Sequence, residues 1–179
     1  MNFRRVLDTV GKFLNDRGYR YALAGAFALH AYGISRTTGD LDLVVEGGAR
    51  AELISFLESL GYETLHASAG YSNHLHALPA LGRVDCIYAE GPTADRLFEG
   101  AKEMGTFQGL KVRVPRPEHL CAMKVLAMKN DPSRALQEMA DIQRLLELPE
   151  INEGEVRRYF ERHGLIEAFH EIKRRSGSA

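Results

Sequence analysis

Residues 21 to 46 read Tyr21-Ala-Leu-Ala-Gly25-Ala-Phe-Ala-Leu-His30-Ala-Tyr-Gly-Ile-Ser-Arg36-Thr-Thr38-Gly-Asp40-Leu-Asp42-Leu-Val-Val-Glu46, and their end decides the fold. Side chains at i and i+2 of a strand share a face, so Asp40 and Asp42 stand about 7 Å apart on one side while Leu41, Leu43 and Val45 occupy the other. Carboxylates are rarely buried without a partner. Two readings of the pair are open at this point: a claw for a divalent metal, or strand-end aspartates facing water.

The segment upstream adds a second element. Tyr21-Ala-Leu-Ala reads as a short buried strand, and Gly25-Ala26 opens a helical run, Phe27 to Tyr32, that Gly33 closes. A strand entering a helix through glycine leaves backbone N–H groups at a helix N-terminus, where a phosphate is favoured. The next strand brings the two carboxylates, so one crevice is expected to hold an anion site beside a metal site. A nucleoside triphosphate with magnesium suits such a crevice, because magnesium takes few protein carboxylates and fills its remaining positions with water and phosphate oxygens.

Gly25-Ala26, Asp40-Leu-Asp42 and Asp85 in Gly82-Arg-Val-Asp-Cys-Ile-Tyr88 together resemble the nucleotidyltransferase superfold, which includes minimal nucleotidyltransferases, AbiEii-type toxins and aminoglycoside adenylyltransferases. Its pattern is a Gly-Gly or Gly-Ser turn opening a helix, an acid-x-acid strand about a dozen residues later, and a third acid on a later strand. The approach Arg36-Thr-Thr38 is similar to the AbiEii-like branch. Ala26 departs from the pattern, since it carries no hydroxyl for a phosphate. The resemblance covers roughly Tyr19 to Leu148.

It implies transfer of a nucleoside monophosphate from a triphosphate, such as ATP, to an acceptor hydroxyl on RNA, protein or a small molecule. Asp40, Asp42 and Asp85 would be the catalytic and metal-binding residues, magnesium the cofactor, and Gly25, Ala26, Arg36, Thr38 and Lys124 the nucleotide-binding set. Asp85 would join a second metal and orient or deprotonate the acceptor. The alternative is a catalytically silent nucleotide- or partner-binding module, with a cognate partner protein, in a toxin-antitoxin-type system.

Other residues carry weaker signals. Asp85 is an acid in an otherwise apolar strand, and a structural pairing with Arg83 or another cation is its plain alternative. Lys124 stands among apolar helix positions, where a lysine either faces a cleft or snorkels to solvent; Lys129 is the second choice. Arg134 and Asp141 share a helix face and can simply pair with neighbours such as Glu138. His74 and His76 alternate on one strand, which suits a cleft lining beside Asp85 or surface exposure better than zinc, for want of a third ligand. His30 reads as structural.

The chain has 179 residues, 45% of them hydrophobic and 26% charged, with a formal net charge of −1. That is an ordinary globular composition, without the broad basic field of a dedicated nucleic-acid binder. Cys86 and Cys121 offer neither a disulfide framework nor a metal-ligand spacing. Charges interrupt the N-terminal segment where a signal peptide needs an apolar run, and no membrane span is expected. A cytoplasmic location follows.

The expected architecture is α/β: a nucleotidyltransferase-like mixed sheet flanked by helices over residues 1–115, then a C-terminal helical subdomain over 116–179. The spacing predicts helices from Phe3 to Leu14, around Leu53 to Leu60, from Pro92 to Met104, and in four segments after Glu118. Two strands, Tyr71 to Leu78 and Arg83 to Tyr88, are joined by a turn at Pro79–Gly82, and one more runs from Leu110 to Val114. The terminal Ser-Gly-Ser-Ala is expected to fray.

Overall fold

Helical spacing of apolar residues puts one face of the first helix, α1 (Phe3–Asp16), into the core, where Val6, Leu7, Val10 and Leu14 are buried. The Asn2 side chain caps it by accepting the Arg5 N–H at 3.1 Å. Phe3 packs on Phe27 of α2 (Gly25–Ala31) with ring centroids 4.0 Å apart, and Phe13 stacks on Phe56 of α3 (Arg50–Ser59) at 4.1 Å. The computed structural model describes residues 1–105 and 109–176; of the expected frayed end, Ser176 is the last residue of a helix and 177–179 lie outside the described residues.

Five strands, β1 (Tyr21–Leu23), β2 (Asp40–Glu46), β3 (Tyr62–Ala67), β4 (Tyr71–His76) and β5 (Arg83–Ala89), form a mixed sheet in the order β1-β2-β5-β4-β3. Only β2 and β5 run parallel; the β4–β5 hairpin and the other pairs are antiparallel. Leu41, Leu43 and Val45 of β2 share a buried face with Val84, Cys86 and Tyr88 of β5. Burial of this kind stabilises by about 1.5–3 kcal/mol per large aliphatic side chain.

Two elements differ from the sequence expectation. β3 carries no alternating apolar pattern: of its six residues only Tyr62 is buried, as suits an edge strand. The helix expected from Pro92 to Met104 ends earlier. α4 spans Gly91–Gly100, and Lys102–Gly105 instead forms β6, paired with β7 (Lys111–Val114). A partner strand supplied from further along the chain decides this, and local propensity does not contain it.

The sheet buries a directional polar chain on its apolar side. The Thr64 hydroxyl donates to Glu58 Oε1 at 2.8 Å, so its oxygen accepts from His74 Nδ1 at 3.0 Å. With its one proton on Nδ1, neutral His74 accepts at Nε2 from Ser72 Oγ at 2.8 Å, and Ser72 in turn accepts from the Tyr88 hydroxyl at 2.7 Å. His74 is fully buried. Burial lowers its pKa below 6.5, against opposing pulls from Glu58 and Asp85. A group whose folded pKa is depressed contributes stability that is complete above its unfolded value and is lost as pH falls. The urea midpoint is therefore expected to fall as pH drops below 6.5. In His74→Gln that fall should be shallower; an unchanged slope would contradict the assignment.

The chain divides into two compact units, Met1–Pro115 and Arg116–Ala179. The second consists of α5 (Pro117–Asn130), α6 (Ala135–Leu146), α7 (Glu153–Arg162) and α8 (Ile166–Ser176). Its core includes Leu120, Val125, Ile142, Leu145, Phe160 and Ile172. Lys124 lies inside it and donates to Glu138 Oε2 at 2.9 Å and Asp141 Oδ2 at 2.5 Å, while Arg134 reaches Glu138 Oε1 at 2.5 Å. Removing the ammonium would leave two carboxylates buried. Lys124→Met is thus expected to cost about 3–5 kcal/mol in urea unfolding, and a change below about 1 kcal/mol, the worth of an exposed pair, would contradict that role.

Among the described residues no helix is long and apolar enough to cross a membrane. Both cysteines are buried free thiols.

Candidate active site

The parallel pairing of β2 with β5 places Asp40 beside Arg83 and Asp42 beside Asp85. Registered residues on neighbouring strands point to the same face, so the three aspartates and Arg83 share one side of the sheet, opposite the apolar face. On the other flank of β5, Asn73 of β4 stands against Asp85 and Tyr71 against Ile87. All seven residues are partly accessible.

Asp85 is held from two directions. Its Oδ1 accepts from Arg83 Nε at 2.8 Å and its Oδ2 from the Tyr71 hydroxyl at 2.8 Å. Burial, and then the charge of Asp85, push the Tyr71 pKa up, which keeps the phenol a donor. The chemistry of the neighbouring thiol is closed off: burial above all raises the pKa of Cys86, so it is not a nucleophile.

The turn before α2 is built around Asp42. Gly25 has φ 54°, and a Cβ there would lie 1.9 Å from Asp42 Oδ2 and 2.5 Å from its Cγ. Ala24 N donates to Asp42 O at 2.9 Å, which ties the turn to the acidic strand. Glycine is required here because the carboxylate occupies the space of a side chain, a reason separate from any approach to phosphate. Ala26 is 1% exposed, so its methyl group is part of the core.

Two residues of the approach act on the backbone. The Thr38 hydroxyl accepts from Asp40 N at 3.2 Å and donates to Asp40 O at 3.3 Å. His30 Nε2 lies 2.7 Å from Arg36 O and 3.1 Å from Arg36 N. Together they fix the chain as it enters β2. A cavity of about 540 Å³ lies instead toward the Glu46 end of β2, lined by Tyr19, Arg20, Phe98, Lys111 and Arg113 among others, and none of the three aspartates contributes to it.

No family model and no curated protein matches the sequence. Solved structures do. The chain is similar to the antibiotic-resistance factor ANT(2'')-Ia, with a TM-score of 0.62 and 16% identity over 96% of this chain and 99% of that one. It is also similar to the lincosamide antibiotic adenylyltransferase LnuA in its lincomycin-bound form, with a TM-score of 0.53 and 15% identity over 80% and 96% of the two chains. A third likeness is to a putative nucleotidyltransferase from Thermotoga maritima, with a TM-score of 0.53 and 11% identity over 78% and 92%.

The chain has the nucleotidyltransferase fold. At these identities the likeness is one of backbone architecture, and it does not single out the AbiEii-type branch. Within the nucleotidyltransferase fold, the sequence-predicted residues Gly25, Ala26, Arg36, Thr38, Asp40, Asp42 and Asp85 all belong to the first unit, while Lys124 belongs to the helical unit. Two of the three donors of the Lys124 ammonium are taken by Glu138 and Asp141.

The acidic face of this nucleotidyltransferase fold offers carboxylate oxygens to a divalent ion. Among the described residues no three His, Cys, Asp or Glu side chains are gathered into a preformed metal group. Asp40 and Asp42 nevertheless supply hard oxygen donors on an accessible face, with a glycine cradle against Asp42. Magnesium commonly uses one or two carboxylates plus substrate phosphates, so this pair fits it. His74 does not line the face: it pairs with Val84 in the β4–β5 register and lies on the opposite side from Asp85. His76 Nε2 bonds Leu60 O at 3.2 Å. Tyr71, which touches Asp85 directly, was missed by the sequence reading: a turn at Pro79–Gly82 sets the even-numbered residues of β4 beside Asp85, whereas the observed register pairs Asn73 with Asp85 and brings Tyr71 to this face.

Proposed function

We propose that the protein is a magnesium-dependent nucleotidyltransferase that moves a nucleoside monophosphate from a triphosphate to an acceptor hydroxyl. The observation that carries this reading is the registered pair Asp42 and Asp85 on adjacent parallel strands, with Asp40 two residues upstream on the same face. The architecture shared with ANT(2'')-Ia and LnuA supports it.

In this reading Asp40 and Asp42 hold the ion that accompanies the triphosphate. When bound, magnesium would neutralise charge on the phosphate oxygens and orient the triphosphate. The protein's own contribution is positional. Gly25 leaves room for the Asp42 carboxylate, and Thr38 and His30 fix the backbone that delivers Asp40. Asp85, clamped by Arg83 and Tyr71, accepts the proton of the acceptor hydroxyl as its oxygen bonds the α-phosphorus and the bond to the pyrophosphate oxygen breaks. Positioning and charge stabilisation supply most of the catalysis in phosphoryl transfer.

The acceptor class is proposed from the neighbours. One ANT(2'')-Ia structure contains adenylyl-2''-tobramycin, and LnuA is lincomycin-bound, so a hydroxyl on a small molecule is the first candidate, ahead of RNA and protein. Chain location is proposed as cytoplasmic. The test is pyrophosphate release from each of the four nucleoside triphosphates with magnesium, supplied in turn with an aminoglycoside, a lincosamide, RNA, and cell extract. Release with one acceptor, abolished by EDTA, is the expected result. Nucleotide binding without release in any mixture would favour the silent binding module, toward which Ala26 points.

A further inference from the structure

The acidic face carries a cation of its own. Arg83 precedes Asp85 by two residues in β5, so strand alternation sets both on the same side, and the β2 register puts Arg83 against Asp40 as Asp85 stands against Asp42. The four side chains thus form a two-by-two array, three acids and one base. Arg83 Nε bonds Asp85 Oδ1 at 2.8 Å, and the guanidinium also lies against the Tyr71 hydroxyl, which itself bonds Asp85 Oδ2. Both oxygens of Asp85 are therefore engaged.

We propose that Arg83 is the resident counter-cation of Asp85: the face takes one divalent ion at Asp40 and Asp42, and a second ion reaches Asp85 only by displacing the guanidinium. This rests on the metal-site reading above and adds an order to it. The exposures make the displacement feasible. Asp85 is 13% exposed but Arg83 is 35% exposed, so the arginine is on the solvent side and can swing outward without opening the core. A partly exposed ion pair is weakly held, and a divalent ion brings twice the charge to the same carboxylate. Arg83 also offsets the repulsion between Asp42 and Asp85, which stand side by side.

The test is Mn²⁺ binding to the full chain without nucleotide, read by the electron paramagnetic resonance of free Mn²⁺. Wild type is expected to bind one ion. Arg83→Gln should gain a second, bound at least about tenfold more tightly than any second ion in wild type, since the competing charge is gone. Arg83→Lys keeps the charge and should behave as wild type. In Arg83→Gln with Asp85→Asn the second ion should vanish. Thermal melts by circular dichroism select the variants that remain folded, and should Arg83→Gln not fold, Arg83→Met, which also removes the charge, carries the comparison and is expected to gain the second ion. A wild type binding one ion whose isotherm is unchanged in Arg83→Gln would overturn the role of Arg83 alone. A wild type that binds no Mn²⁺ would overturn the metal-site reading beneath it, and two equally tight ions in wild type would overturn the order proposed here.

Discussion

Asp42→Asn is expected to lower nucleotidyl transfer by on the order of a thousandfold or more while the protein stays folded, because a metal-holding carboxylate acts in the transition state and contributes several kcal/mol there. The amide keeps the shape that fits against Gly25, so the turn is undisturbed. It also removes one of two carboxylates registered side by side, Asp42 and Asp85, and relief of like-charge repulsion should leave the melting temperature level or raise it. The two readouts separate chemistry from folding. A variant that turns over as wild type does, with unchanged magnesium affinity, would take Asp42 out of the site.

Gly25→Val is expected to do the opposite to the fold and the same to the activity. Its φ of 54° is in the left-handed region, where a β-branched residue is strained, and its Cβ would lie 1.9 Å from the Asp42 carboxylate. Backbone strain alone costs about 1–3 kcal/mol, and the collision must displace Asp42 or the turn. Urea unfolding should therefore show a loss of at least about 2 kcal/mol, with transfer lost per folded molecule. Gly25→Ala should show a smaller stability loss and the same direction in activity. Full stability together with full nucleotide binding in Gly25→Val would mean that the turn neither cradles Asp42 nor faces the phosphates.

What the sequence disclosed about this site came from period-two alternation. Asp40 and Asp42 share a face because strands alternate, and the same rule puts Arg83 with Asp85, as found. The rule needed a register to go further. Alternation alone leaves His74 either beside Asp85 or at the surface, whereas the hairpin pairing sets it against Val84, on the buried side. Neighbouring strands fix that parity, and no single strand contains it.

The reasons for other differences are equally local. β3 had no apolar alternation to reveal it because an edge strand buries little, and β6 depends on β7 for its pairing. Lys124 was legible as a lysine in apolar company, but its partners Glu138 and Asp141 come from another helix, α6, and no pattern within α5 names them. The need for Gly25 was legible from the turn; that the obstacle to a side chain is Asp42 was not, since it depends on a contact between elements seventeen residues apart.

Whether Asp40 and Asp42 hold a divalent ion for a nucleoside triphosphate is decided by calorimetric titration of each triphosphate into the full chain. With magnesium present, heat of binding is expected for at least one triphosphate, lost when EDTA replaces magnesium and lost again in Asp42→Asn. Binding of equal strength in all three conditions, or no binding of any triphosphate to a folded wild type, would contradict that role of the two aspartates.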